Sequence, residues 1–263
     1  MRGLLLVLLL LAAGQAVAAE RILALTPHIC EILFAVGAGD EVVGAGEYCN
    51  EPQAAADLPR VANFSQVYTE AALRLKPTLA LALDEALPGL DVLRRAGVRT
   101  AASDPQSVAE VLADIRRLGE LAGHGRQADE LAASLAHQLE AMKAEKSPEQ
   151  SVYYELWDQP LLAVGGTGFL QDVLRLSGVK NVFAGVPRES VRVSRESVIR
   201  AHPDLIIVSG NDESVARRRV FWAHWLPQAS VMPVDADLMS RPGPRIVRAV
   251  ASLRRQVRGL EAR

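Results

Sequence analysis

The stretch Glu70-Ala-Ala-Leu-Arg-Leu-Lys-Pro-Thr-Leu-Ala-Leu-Ala-Leu83 decides the fold, because a later stretch of the chain resembles it. The second copy is Glu196-Ser-Val-Ile-Arg-Ala-His-Pro-Asp-Leu-Ile-Ile-Val-Ser209. Glu70 aligns with Glu196, Arg74 with Arg200, Pro77 with Pro203 and Leu79 with Leu205. In each copy a short helix runs up to a proline, which cannot continue it, and an apolar run then reads as a buried strand. A second pair precedes these: Gly37 to Gly44 and Gly178 to Gly185 each close a helix and lead to a short apolar strand. Two related α/β units follow.

Upstream, Arg21 to Leu25 reads as another buried strand. Thr26 can cap a helix that has Pro27 at its first position and Glu31 in its early turns. Cys30, Leu33, Phe34 and Gly37 then recur at helical spacing, with Gly37 as the stop. Between the repeats, Ser107 to about Lys146 is rich in Ala, Leu, Glu and Arg and breaks at Gly123-His124-Gly125. Gln127 to Lys146 holds neither Gly nor Pro, and Leu131, Leu135, Leu139 and Met142 recur about once per turn. A helix of that length reaches about 30 Å, a stiff strut rather than a loose hinge. The expected organisation is an N-terminal α/β lobe over 20–106, connecting helices over 107–148 and a C-terminal α/β lobe over 149–263. The lobes should face one cleft and move little against each other.

Residues 1–19 read as an export signal. Met1-Arg2-Gly3 is a short basic start, Leu4 to Ala13 is unbroken apolar sequence, and Ala16-Val17-Ala18-Ala19 supplies the small side chains of a cleavage site after Ala18 or Ala19. The apolar run covers only about half of a ~30 Å hydrocarbon core, too little for a membrane span. The mature chain is therefore expected to be exported and soluble. Its 29 basic and 31 acidic residues leave a net charge of −2, which argues against a nucleic-acid binder. With 49% hydrophobic residues it can bury a core. The two cysteines, Cys30 and Cys49, either pair in an oxidising compartment or stay as buried thiols, since sequence does not supply their separation.

An enzyme needs a constellation, and the search for one returns little. His-Glu-x-x-His, Gly-x-Ser-x-Gly and Gly-x-x-x-x-Gly-Lys are absent. Gly165-Gly166-Thr167-Gly168 offers backbone N–H groups to an anion in one reading and a tight turn opening a helix in the blander one, which is preferred. His28, at a strand-to-helix corner, is a metal ligand, a cleft hydrogen-bonder or an ordinary capping or packed side chain, and no second His or carboxylate stands at metal-binding spacing. Asp235 and Asp237 would share a face of an extended segment, but nothing else there marks a reaction.

Seven ordered stretches carry a resemblance. The first three are Leu25-Thr-Pro-His-Ile-Cys-Glu-Ile-Leu-Phe-Ala-Val-Gly-Ala-Gly39, Val43-Gly-Ala-Gly-Glu-Tyr-Cys49 and Leu58-Pro-Arg-Val-Ala62. Leu75-Lys-Pro77, Gly178-Val-Lys-Asn-Val-Phe183, Val193-Ser-Arg-Glu196 and Arg241-Pro-Gly-Pro-Arg-Ile246 complete the set. Over residues 21–258 the chain resembles the periplasmic binding proteins with a helical backbone, which feed ABC importers for cobalamin, ferric siderophores and haem. Within that family the likeness is nearest to the cobalamin-binding members. The resemblance implies two Rossmann-like lobes joined by a long rigid α-helix, with the ligand in the cleft between them. It implies no catalysis, no resident cofactor or metal, and a monomer in the periplasm that meets an inner-membrane permease dimer.

Carried over position by position, the resemblance assigns Glu70 and Glu196 to permease docking, the two residues the internal repeat pairs. A related pair on facing lobes suits a two-fold symmetric partner. For the ligand it implies Tyr48 and Phe64 against a corrin face, and Asp237 and Arg241 toward its polar rim. Leu83 and Ser190 stand where the family has Trp, and Leu162 where it has Phe. Trp157 either replaces a lost aromatic or packs in the core. The family's C-lobe disulfide is missing, with Ser177 and Arg254 at its positions, so a Cys30–Cys49 bond would be a separate N-lobe feature. Three classes of function remain to be separated: a binding protein for cobalamin or a related corrinoid, siderophore or haem; a periplasmic metal-dependent enzyme; and an interaction module with a closed cleft.

Overall fold

The computed structural model describes residues 20–143 and 150–261. The signal expected over 1–19 lies outside the described residues. The first half of the chain alternates β1 (Ile22–Ala24), α1 (Pro27–Ala35), β2 (Val42–Gly46), α2 (Gln53–Ala56) and β3 (Arg60–Ala62). It continues through α3 (Thr69–Arg74), β4 (Leu79–Ala82), α4 (Leu90–Arg95) and β5 (Arg99–Ala102). These strands form one sheet in the order β3-β2-β1-β4-β5, and every ladder is parallel. A parallel sheet must be covered on both faces, and the sequence supplies this by filling both parities of each inner strand. Ile22, Ala24, Leu79 and Leu81 enter one buried cluster, while Leu23, Leu25, Ala80 and Ala82 enter another.

Two helices follow, α5 (Val108–Leu121) and α6 (Gly125–Lys143), packed on each other across the short break at Ala122–His124. Ser107 opens α5 by accepting a hydrogen bond from Glu110 N–H at 3.1 Å. The strut expected from Gln127 onward is thus one arm of a hairpin that begins at Gly125. At its start, His124 Nε2 lies 3.2 Å from Glu41 Oε1, and near its end the Met142 carbonyl accepts from Arg254 Nη1. Its 19 residues span about 28 Å and tie the two halves together.

The second half comprises β6 (Ser151–Asp158), β7 (Leu161–Val164), α7 (Phe169–Ser177), β8 (Lys180–Asn181) and β9 (Ser190–Arg192). It ends with α8 (Arg195–Ala201), β10 (Leu205–Ser209), α9 (Asp212–Trp225), β11 (Ser230–Val234), α10 (Ala236–Ser240) and α11 (Ile246–Glu261). Its sheet has the path β11-β10-β6-β7-β9, with β8 also on β6. The run β8-β6-β10-β11 is parallel and repeats β2-β1-β4-β5; β7 and β9 add an antiparallel extension.

The repeat extends to the backbone. Lys76 and His202, each directly before its proline, are the two non-glycine residues with positive φ among the described residues, at 49° and 48°. Gly37 and Gly178 close the earlier helices at φ 87° and 79°. Both halves therefore end the corresponding helices with a left-handed residue at the corresponding position. One buried cluster runs from Ile22 and Leu81 of the first sheet through Leu118, Leu135 and Val173 to Ile207 and Val257. No helix among the described residues is long and apolar enough to cross a membrane.

Cys30 of α1 and Cys49 of the loop after β2 are joined in a disulfide, with Cα atoms 6.1 Å apart and both residues fully buried. One expectation at the start of α1 needs correcting. Thr26 precedes the helix in extended conformation, but its side chain makes no cap bond. Its hydroxyl is 3.3 Å from His28 Nδ1 instead.

Candidate functional site

Parallel strands place all their carboxyl ends on one edge, and loops leaving that edge are where open α/β sheets take ligands. The carboxyl edges of the two sheets line one cavity of about 520 Å³. Thr26 follows β1, Tyr48 β2, Phe64 β3 and Leu83 β4. Across from them stand Leu156 near the end of β6, Gly168 and Phe169 at the start of α7, and Ser190 of β9. Asp237 and Arg241, after β11, complete the site from below.

Tyr48 and Phe64 form one wall. Their rings stack with centroids 4.5 Å apart and planes 20° apart, and the residues are 50% and 64% exposed. A pair of aromatic rings left half in water is an unfilled apolar face. Leu83 also lines the cavity and is 41% exposed, so two of the positions lacking the family's aromatics, Leu83 and Ser190, line this cavity too. Trp157 and Leu162 are not brought there. The β6–β7 register slips between Glu155 and Trp157, and Leu156 is the residue of that turn that lines the cavity. Trp157 pairs with Leu162 across the hairpin and donates its indole N–H to Gln159 O at 2.9 Å.

The polar end of the cleft is a bridge between the halves. Arg241 Nη1 donates to Glu31 Oε1 at 3.1 Å and to Asn50 Oδ1 at 2.7 Å, while Nη2 donates to Asp237 Oδ2 at 2.5 Å. Asn50 Nδ2 reaches the same Asp237 oxygen at 3.2 Å. Arg245 donates to both oxygens of Glu31, from Nε at 2.8 Å and from Nη2 at 2.7 Å. Glu31 is 5% and Arg241 9% exposed, so this is a buried ion pair satisfied on several sides. Reading the sequence missed Glu31, Asn50 and Arg245 as site residues. The available signal was Arg241-Pro-Gly-Pro-Arg245, two guanidinium groups presented by one stiff turn between α10 and α11.

His28 borders the cavity but is buried, at 4% exposure, and both ring nitrogens are used within the protein. Nε2 lies 2.8 Å from Ser103 Oγ and 3.0 Å from the Ser103 carbonyl. Ser103 Oγ donates onward to Asp114, which Arg117 also holds. The Ser103 carbonyl can only accept, so Nε2 donates; in the neutral ring that burial favours, Nδ1 then accepts from the Thr26 hydroxyl. His28 is therefore a packed residue at the cleft wall, with no nitrogen free for a ligand. Burial pushes its pKa down to about 4, against the opposing pull of Ser103 and Asp114. An unfolded His28 takes up a proton near pH 6.5 and the folded one only near 4, so the unfolded state binds more protons between these values. The stability involved is fully present above pH 6.5 and drains as pH falls to 4, by about 3 kcal/mol in all. Urea melts at pH 6.5, 5.5 and 4.5 should show this slope, and His28→Asn should flatten it. An unchanged slope in the variant would assign the acid sensitivity elsewhere.

The glycine turn has a steric purpose. A Cβ on Gly165 would lie 2.0 Å from Arg188 O, and one on Gly166 2.1 Å from Ala184 O. The N–H groups of Gly165, Gly166 and Thr167 donate to the carbonyls of Glu189, Val186 and Arg188. They are spent on the neighbouring loop, which leaves no anion cradle. Asp235 caps α10 by accepting from Leu238 N–H at 3.1 Å, and Asp237 is held by Arg241 and Asn50, so the two carboxylates form no acid/base pair.

Glu70 and Glu196 occupy the first turns of α3 and α8. Each helix starts after one strand and leads into a parallel one, so α3 and α8 both begin on the carboxyl-end side of their sheets. Glu70 is ion-paired with Arg74 at 3.4 Å. Glu196 meets Arg195 at 2.7 Å, and that guanidinium lies 3.9 Å over the ring of Trp225. Backbone and Arg195 hydrogen bonds hold the Glu196 carboxyl below the usual range.

The model of a family described as periplasmic binding protein matches residues 22–256. A vitamin B12-binding protein of Photorhabdus laumondii is 32% identical over 242 residues, covering 90% of this chain and 87% of that protein. The crystal structure of a periplasmic vitamin B12 binding protein of Vibrio cholerae is similar with a TM-score of 0.77 and 28% identity, over 93% of this chain and 99% of that one. A periplasmic heme-binding protein from Roseiflexus is similar at TM-score 0.78 and 26% identity, over 90% and 97%.

Proposed function

We propose, since this chain belongs to the periplasmic binding protein family, that its cleft captures cobalamin or a related corrinoid for delivery to the permease of an ABC importer. The observation that carries this reading is the charge of the cleft. Arg241 is the one Lys or Arg among the lining residues, and it is already committed to Glu31, Asn50 and Asp237. Asp104 and Glu189 also line the cavity and are exposed. A macrocycle rimmed by carboxylates, such as haem, needs uncommitted cations there. A corrinoid presents amides, which suit acidic and neutral partners, and a broad apolar face that suits the Tyr48–Phe64 wall. The relatives named for vitamin B12 point the same way.

A haem or ferric-siderophore ligand is the second reading, favoured by the half-exposed hydroxyl-bearing ring of Tyr48, a hard donor suited to ferric iron, and by the similar heme-binding structure. A metal-dependent enzyme would need a second ligand converging with His28, whose nitrogens are already engaged. Calorimetry of the purified protein with cyanocobalamin and, separately, with haem separates the readings. Heat of binding and a pink protein after desalting are expected with cyanocobalamin; retention of haem alone would replace corrinoid with haem.

Delivery should involve a monomer that presents Glu70 and Glu196, one per lobe, to a permease dimer. Exposed ion pairs of this kind set register and association rate more than affinity. Glu70→Arg together with Glu196→Arg should lower cellular uptake of corrinoid by more than about tenfold and leave the dissociation constant of the purified protein unchanged. A fall in ligand affinity would show that the two carboxylates do not act in docking.

A further inference from the structure

The Cys30–Cys49 disulfide sits where its two neighbours meet. The residue after Cys30 is Glu31 and the residue after Cys49 is Asn50, and both accept hydrogen bonds from the same nitrogen of Arg241, at 3.1 and 2.7 Å. The residue before Cys49 is Tyr48, half of the aromatic wall. One covalent bond therefore joins, within one residue on each side, two of the three side-chain acceptors of Arg241 and a ring of the ligand face. The loop has little else to hold its backbone. Among the described residues, the one backbone hydrogen bond donated from Tyr48 to Glu51 is that of Cys49 N–H to Gly46 O, at 3.1 Å. Helix α1, by contrast, is anchored in the main core through Ile29, Ile32 and Leu33.

We propose that the Cys30–Cys49 disulfide is a positioning element of the binding cleft: it ties the Tyr48–Asn50 loop to α1 and so sets the geometry of both the Arg241 socket and the aromatic wall. Glu31 is held on the anchored helix α1, so without the bond it is Asn50 and Tyr48 that reach their places only by the loop's own excursions. The ligand must then order that loop on binding, which lowers affinity without removing any contact. The core residues that surround the bond are unaffected in identity, so the fold survives its loss while the cleft slackens. This inference rests on the corrinoid reading for its ligand, but the tether itself is observable without one.

The test compares the oxidised protein with Cys30→Ala/Cys49→Ala and with wild-type protein kept reduced in excess dithiothreitol, which serves if the double variant folds poorly. Hydrogen exchange is followed by mass spectrometry, and cyanocobalamin affinity by calorimetry. Amides over 47–51 should exchange about tenfold faster once the bond is gone, while those of β1 and β4 keep their protection. The dissociation constant should rise about tenfold. Unchanged exchange over 47–51 would overturn the tether, and faster exchange with an unchanged dissociation constant would overturn its role in binding. If the oxidised wild-type protein does not bind cyanocobalamin, the corrinoid reading fails, and the exchange arm alone still decides the tether.

Discussion

Replacing Glu31 with alanine lowers folding stability by an expected 3–5 kcal/mol, roughly the cost of leaving buried cationic groups without their counterion. Glu31 sits at 5% exposure and accepts from Arg241 and from two nitrogens of Arg245. The carboxylate comes from α1 and the guanidinium groups from the turn before α11, so the substitution strips the charge pairing from the junction of the two halves. Removing the carboxylate leaves the positive charges where water reaches them poorly, and their remaining acceptors, Asn50 and Asp237, cannot make up the loss. For a domain of this size the melting temperature should fall by about 10 °C. Thermal melts of Glu31→Ala, Arg241→Ala and the double variant provide the check. The double variant should be destabilised by about 1–3 kcal/mol less than the sum of the two single changes. Additive losses would mean that the two groups are not energetically coupled.

The second large effect falls on binding alone. Tyr48→Ala together with Phe64→Ala should raise the dissociation constant for cyanocobalamin about a thousandfold, or roughly 4 kcal/mol. The two residues are 50% and 64% exposed, which leaves on the order of 100 Å² of each free for a ligand to cover. At about 25 cal/mol per Å² the two faces together supply roughly 4–6 kcal/mol, before any stacking preference is added. Being half solvated already, they support the fold little, and the melting temperature should move by about 2 °C or less. Calorimetry and a thermal melt on the same sample distinguish this from general damage. Loss of affinity of less than about tenfold would show that the stacked pair is not the ligand face.

The architecture was legible where its signals are local. A proline after a short helix, followed by apolar residues of both parities, is enough to read α3–β4 and α8–β10, and their likeness reveals the duplication. The same holds for Gly37 and Gly178 as helix stops. What the sequence hid depends on contacts distant along the chain. Glu31 reads as an ordinary acid in an early helical turn because its partners lie 210 and 214 residues away. His28 reads as a possible cleft ligand because Ser103 and Asp114, which use up its donor nitrogen, arrive from β5's loop and α5. Trp157 and Leu162 lie outside the cavity lining for a different reason. The register slips in β6 between Glu155 and Trp157 and leaves Leu156 facing the cavity, a local irregularity that position-by-position carry-over from the family does not show. The cysteine pairing stayed open because proximity is a property of the folded backbone, here a 6.1 Å Cα separation.

The buried cluster that runs from Ile22 to Val257 crosses both sheets by way of α5, α6 and α7. A molecule welded through its middle cannot lose one half and keep the other, since each half exposes the shared apolar seam when its neighbour melts. Heating should therefore give a single calorimetric peak whose enthalpy matches its sharpness, the behaviour of one cooperative unit in spite of the duplication.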